Sequence, residues 1–322
     1  MYGVFCESEK GNKVGSEKKI DTSNWSDDDW LALLLLFAAS ESGKEWDSFA
    51  KEIKEKSRFF PESKLLDSIS EISNDAAIIL EKGDVYYRAR VMNDFFMYEN
   101  KKELKELEEL IVSYYPELRG KSFEEMSYVF RDPIGLFSAQ IFDGVKRILK
   151  KKKRFWGYAT EGSDAPPKGS ASSGRANSEG ISVLYLADSP STAVLEVRPL
   201  IGQDVSVAKV KILDELKLFD FTRKDGFLSD FGNALSYMVI SKAFSEPFSG
   251  KSLDYAPTQY LCEYIKRLGF DGIKYNSAMK NDAYNIAIFN IDDPKKYRII
   301  KSEVLTVKGY DISTVQFAPW KE

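Results

Sequence analysis

The chain has 322 residues, 43% hydrophobic and 13% aromatic, which is ample apolar material for one large domain with a smaller part beside it. Its net charge of −4, with acidic groups dense along the chain, argues against a nucleic-acid binder. Histidine is absent, which excludes histidine-based nucleophile triads, histidine metal sites and histidine-dependent RNases, and the distant Cys6 and Cys262 imply neither a disulfide framework nor a metal centre.

Residues 1 to about 80 read as helical and the remainder as a mixed α+β domain, giving an expected division at 1–80 and 81–322. Ser26 and the acidic Asp27-Asp28-Asp29 open a helix over Asp27–Ser40. Its apolar run Leu31–Ala39 is too short to span a bilayer and lacks the basic flank of a signal peptide, so a buried helix in a reducing, cytoplasmic compartment is expected. A second helix follows over Lys44–Lys56, with Trp46, Phe49 and Ile53 at helical spacing, and a third over Ser63–Leu80. After Gly83 the period changes, and Val85–Val91 reads as a strand with Tyr86, Arg88 and Arg90 on one face. Helices are expected at Lys101–Tyr114 and Asp143–Lys152. The basic run Lys150–Arg154 at the end of the latter reads as a solvated helix end.

Asp164–Gly174 (DAPPKGSASSG) is a Pro-, Gly- and Ser-rich loop, either a plain connection or a lid over a bound substrate. Val183–Ala187 is a short strand, and Asp188, Ser189 and Pro190 start a helix that Pro199 and Gly202 stop after about two turns. Strands are expected at Val205–Ile212, Leu216–Phe221, Gly272–Ser277 and Tyr284–Asn290, helices at Asn233–Phe244 and Thr258–Leu268, and an edge strand after Tyr297. No GxGxxG or Walker A loop occurs, so a Rossmann dehydrogenase or P-loop NTPase is unsupported.

The densest chemistry lies between Gly174 and Pro199. Arg175 precedes the strand, Tyr185 lies on it and Glu196 lies late on the helix that folds back, an order that allows all three to meet in one cleft. Each also has a plain alternative: Arg88 on a solvated strand face, Arg175 on a surface loop, Tyr185 in a half-buried sheet, and Glu196 paired with Arg198. Ser277, at a strand end, would ordinarily be a turn residue.

Three blocks in order, Tyr86-Tyr87-Arg88-Ala89-Arg90, the run from Gly174-Arg175-Ala176-Asn177 to Glu196-Val197-Arg198-Pro199, and Gly269 to Ser277 followed by Tyr284–Phe289, resemble the RES domain family. The resemblance implies a mixed sheet like that of ADP-ribosyltransferases and an enzyme that consumes NAD as a substrate, with no recycled cofactor. It further implies that Arg88, Tyr185 and Glu196 act in catalysis and that Arg175, Ser277 and Asn285 bind substrate, with Tyr255 to Gln259 serving packing. The arginines suit a pyrophosphate and the carboxylate an oxocarbenium-like ribose, while nicotinamide leaves as a neutral base that needs no acid. Water or inorganic phosphate would capture the ribosyl group. Transfer of ADP-ribose to a macromolecule and a non-catalytic binding role remain the alternatives. The resemblance also implies a toxin or defence effector with an antitoxin or trigger protein as partner, and a homo-oligomer is expected.

Overall fold

In the computed structural model, residues 26–92, 101–121, 144, 157–224, 230–247 and 251–310 are described, with side chains from residue 40 onward in the first segment and from residue 105 in the second. An eight-stranded mixed sheet organises the chain, with strand order β1-β5-β6-β7-β3-β2-β4-β8. The strands are β1 (Ala77–Leu80), β2 (Val85–Val91), β3 (Leu184–Ala187), β4 (Asp204–Ile212), β5 (Leu216–Asp220), β6 (Gly272–Asn276), β7 (Tyr284–Ile288) and β8 (Tyr297–Thr306). Every neighbouring pair is antiparallel except β5 and β6, which are parallel and joined through two helices. With its flanking helices the fold is α+β, as expected, and β8 forms the edge beside β4.

Among the described residues the α-helices are α1 (Asp27–Glu55), α2 (Lys64–Glu71), α3 (Lys101–Tyr114), the single turn α4 (Thr160–Ser163), α5 (Pro190–Glu196), α6 (Phe231–Ser245) and α7 (Ala256–Arg267). Alternation along the strands explains the two-sided core, because successive side chains point to opposite faces. Phe219, Ile273, Tyr275 and Ala287 face one side, where Phe49 and Ile53 of α1, Leu65 and Ile69 of α2, Ile240 and Phe244 of α6 and Leu261 and Ile265 of α7 cover them. Leu184, Leu186, Leu218, Ile286 and Ile288 face the other side with Tyr86, Val210 and Tyr297. Central strands buried on both faces read as near-continuous apolar runs, which is why YNIAI is legible as a strand.

Two expectations are corrected. The first two helices are one continuous 29-residue helix, because a mid-helix glycine such as Gly43 costs only about 1 kcal/mol relative to alanine, less than the burial of Phe49 and Ile53 supplies. The helix expected over Ser63–Leu80 ends at Glu71; a turn through Asn74 and Asp75 follows, and Ala77–Leu80 pairs with β5 as a strand. The burial expected for Leu31–Ala39, the helix at Asp143–Lys152 apart from the helical Gly144, and the basic run Lys150–Arg154 lie outside the described residues. No helix among the described residues is long and apolar enough to cross a membrane.

Candidate active site

β2 and β3 form a single paired register, Tyr87 opposite Ala187, and then diverge. Beside this split lies a cavity of about 600 Å³, within the range of small-molecule and cofactor sites. Arg88, Arg90, Arg175 and Arg198 line it together with Glu196, so cationic groups outnumber the carboxylate. Tyr87, Tyr185, Tyr255 and Tyr275 supply aromatic surface.

Glu196 is carried by α5, which begins where Ser189 accepts from the Thr192 amide at 3.2 Å and Pro190 occupies the first turn. Ala89, Ala187 and Ala193 are buried together with Val205 and Val207, and these small side chains let α5 sit close against β2 and β3. Glu196 ends the helix on the exposed side, and its Oε1 accepts two hydrogen bonds, from Ser277 Oγ at 2.6 Å and from Asn285 Nδ2 at 2.7 Å. Its second carboxylate oxygen has no partner among the described residues, and no ion pair joins it to Arg198.

The sheet register makes this meeting. Asn285 lies opposite Ala187 on β3 and Tyr275 on β6, so one row across three strands ends beneath α5. Ser277 follows β6, where its amide donates to the Ala283 carbonyl at 2.8 Å and its hydroxyl also accepts from the Met279 amide at 3.1 Å. That turn fixes the hydroxyl toward the carboxylate. Asn285 is 4% exposed, so its amide is an almost fully desolvated donor to a charge.

Tyr185 faces the helical side of the sheet, and its hydroxyl accepts from the Ala176 amide at 2.8 Å and donates to Asn177 Oδ1 at 2.7 Å. Burial pushes this phenol well above its ordinary value, so it stays neutral. With the hydroxyl engaged in the turn, the ring is what Tyr185 offers to the cavity. Gly174 and Asn177 bridge to each other, and Asn177 Nδ2 donates to the Ser172 and Ser178 carbonyls. Gln259 of α7 donates to Ser173 Oγ and the Gly174 carbonyl, and Thr258 donates to the Arg175 carbonyl. Asn177, Thr258 and Gln259 therefore hold the turn. Sequence reasoning gave the last two to packing, and nothing in their spacing signals a partner some 85 positions away.

Arg175 projects from this turn to the end of α6, where it donates to the Ala243 carbonyl at 2.9 Å and to the Glu246 carbonyl, while its guanidinium lies 5.3 Å from the Tyr255 ring centre. It thus caps a helix C-terminus and lines the cavity at once. Arg88 occupies the split between β2 and β3, donating to the Tyr185 carbonyl at 3.3 Å. Burial, with Arg90 nearby, lowers its pKa to about 10, which leaves it charged at neutral pH, and its Nε is buried with no partner. Asp164 and Tyr297, bonded to each other at 2.7 Å, offset part of that cost. Arg90 donates to the Gly162 carbonyl and lies over the Tyr158 ring. The 164–174 loop is pinned rather than free, through Gly169 and Ala171 to Gly180 and through Pro167 to Ser182. The structure therefore brings Arg88, Arg175, Tyr185, Glu196 and Asn285 to one cavity and sets Ser277 directly on Glu196.

A family model described as the RES domain matches residues 145–309. This chain belongs to the RES domain family. The match spans every strand from β3 to β8 and includes Arg175, Tyr185, Glu196, Ser277 and Asn285, whereas Arg88 lies before it. The chain is also similar to a chain in the crystal structure of the M. tuberculosis MbcT-MbcA toxin-antitoxin complex, at 11% identity over 76% of this chain and 93% of that one, with a TM-score of 0.37. No curated protein matches the chain.

Proposed function

We propose that this RES domain protein degrades NAD by cleaving the bond between nicotinamide and ribose. The observation that carries the reading is the Glu196 carboxylate at an arginine-lined cavity, with one oxygen held by both Ser277 and Asn285 and the other without a partner. Holding one oxygen leaves the second to meet the ribose, where a carboxylate stabilises the positive charge that develops as the bond breaks. The bonding pair of C1′–N departs with nicotinamide. An oxygen of water or inorganic phosphate then bonds to C1′ and its proton passes to solvent.

Arg88 and Arg175 hold the pyrophosphate in this scheme, and the Tyr185 ring packs on the substrate. Ser277 and Asn285 act through Glu196 as positioning residues. Arg88 adds support, because a buried guanidinium with an unpartnered Nε gains most from an anionic ligand. Loss of NAD stops growth, so the activity suits a toxin or defence effector restrained by an antitoxin or trigger protein. We assign residues 81–322 to the RES domain and 1–80 to an extension whose α1 and α2 pack into the same core as α6 and α7.

Incubation with NAD labelled in the adenosine half tests the reading. Free ADP-ribose, or its 1-phosphate when phosphate is present, is expected, and Glu196→Gln should abolish turnover while still binding NAD in a calorimetric titration. Label appearing on a macromolecule would make the protein an ADP-ribosyltransferase. Unchanged NAD loss in Glu196→Gln would remove Glu196 from the mechanism.

A further inference from the structure

Arg198 follows the end of α5 in the left-handed region, with φ +47°, its amide donating to the Leu195 carbonyl at 3.1 Å. At this position after a helix glycine is the usual residue, because a Cβ crowds the backbone there. The buried Pro199 that follows keeps Arg198 out of the right-handed helical region, and Tyr310 Oη donates to the Pro199 carbonyl. The backbone is pinned on both sides, and an arginine stands where glycine fits without strain.

The side chain is exposed, lines the same cavity as Glu196 and has no hydrogen-bond or ion-pair partner among the described residues. The other three cavity arginines all donate to backbone carbonyls: Arg88 to Tyr185, Arg90 to Gly162 and Arg175 to the end of α6. Glu196 is engaged by Ser277 and Asn285 and forms no ion pair with Arg198. An uncompensated guanidinium at a cavity rim presents forked donors that match a phosphate group.

We propose that Arg198 is an anion-binding residue of this site and grips a phosphate oxygen of the dinucleotide's pyrophosphate. The inference deepens the NAD-degrading function and rests on it. Calorimetric titration of the full chain with ADP-ribose, which carries the pyrophosphate but no nicotinamide, reads binding without turnover. Arg198→Gly should weaken ADP-ribose binding by about tenfold to a hundredfold and reduce its salt dependence, the range expected for a lost charge-assisted hydrogen bond. Its melting temperature should hold or rise, since glycine relieves the left-handed backbone. Arg198→Lys, which keeps the charge, should retain part of the affinity. ADP-ribose binding within twofold of the parent in Arg198→Gly would overturn the inference and leave the function standing, as would a fall in melting temperature without loss of affinity. Loss of inorganic phosphate binding alone would move Arg198 to the phosphate acceptor and overturn the pyrophosphate assignment. A parent protein that binds neither NAD nor ADP-ribose would remove both proposals.

Discussion

Gly174→Ala tests whether the turn that carries Arg175 depends on the Tyr185 hydroxyl. A Cβ built at Gly174 would lie 2.6 Å from Tyr185 Oη and 2.7 Å from Asn177 Oδ1, two atoms already bonded to each other. Both must give way, which combines overpacking with loss of a hydrogen bond inside a nearly buried cluster, a cost of about 2–4 kcal/mol. At about 2.1 cal/mol/K of unfolding entropy per residue, that is a fall in Tm of roughly 3–6 °C for a chain of 322 residues. Thermal unfolding of Gly174→Ala, Tyr185→Phe and the double variant reads the effect. Removing Oη leaves the ring carbon Cζ at 3.3 Å as the nearest part of that side chain, so the double variant should be more stable than the two single losses summed, by about 1 kcal/mol or more. Losses that add within about 0.3 kcal/mol would refute the coupling of turn and hydroxyl.

Ser277→Ala and Asn285→Ala should each lower kcat/KM by about tenfold to a hundredfold, and together by less than the product, since both act through one oxygen of Glu196; an effect below threefold would deny them that role. Arg175→Ala should cost about 1–3 kcal/mol of stability as well as affinity for NAD, because the guanidinium also satisfies carbonyls at the end of α6, and an unchanged Tm would show that α6 does not rely on it. Alkaline pH should unfold the protein cooperatively. Burial raises the phenols of Tyr86, Tyr185, Tyr237 and Tyr297 in the folded state, so the unfolded chain loses these protons first and stability, fully present below about pH 10, falls as pH rises above it. Tyrosinate absorbance should therefore show a group of tyrosines ionising only with unfolding, against a smooth titration if they are accessible.

Much of the fold is local enough to read directly. β4 alternates and β7 carries the apolar run Ile286–Ile288, and α5 carries its own start and stop in Ser189, Pro190 and Pro199. Local signals mislead where they compete with packing. Ser40 to Gly43 resembles a break but the helix runs through it, whereas Ala77–Leu80 extends a helical stretch on paper and instead pairs with β5. The site was legible as a set of residue types, and Glu196 could be placed beside Tyr185 because strand and helix are consecutive. Its contacts with Ser277 and Asn285 were not, since they follow from β7 pairing with β3 and from the turn after β6, both long-range. The same limit hid the engagement of Arg175 with α6 and of Tyr185 with Asn177, which only the folded chain brings together.

The most direct measurement is NAD consumption by the purified protein, with products separated by mass-detected chromatography, with and without phosphate and beside Glu196→Gln. Release of nicotinamide with ADP-ribose or its 1-phosphate, absent in the variant, is the predicted result; NAD left intact by the parent protein under both conditions would contradict the account.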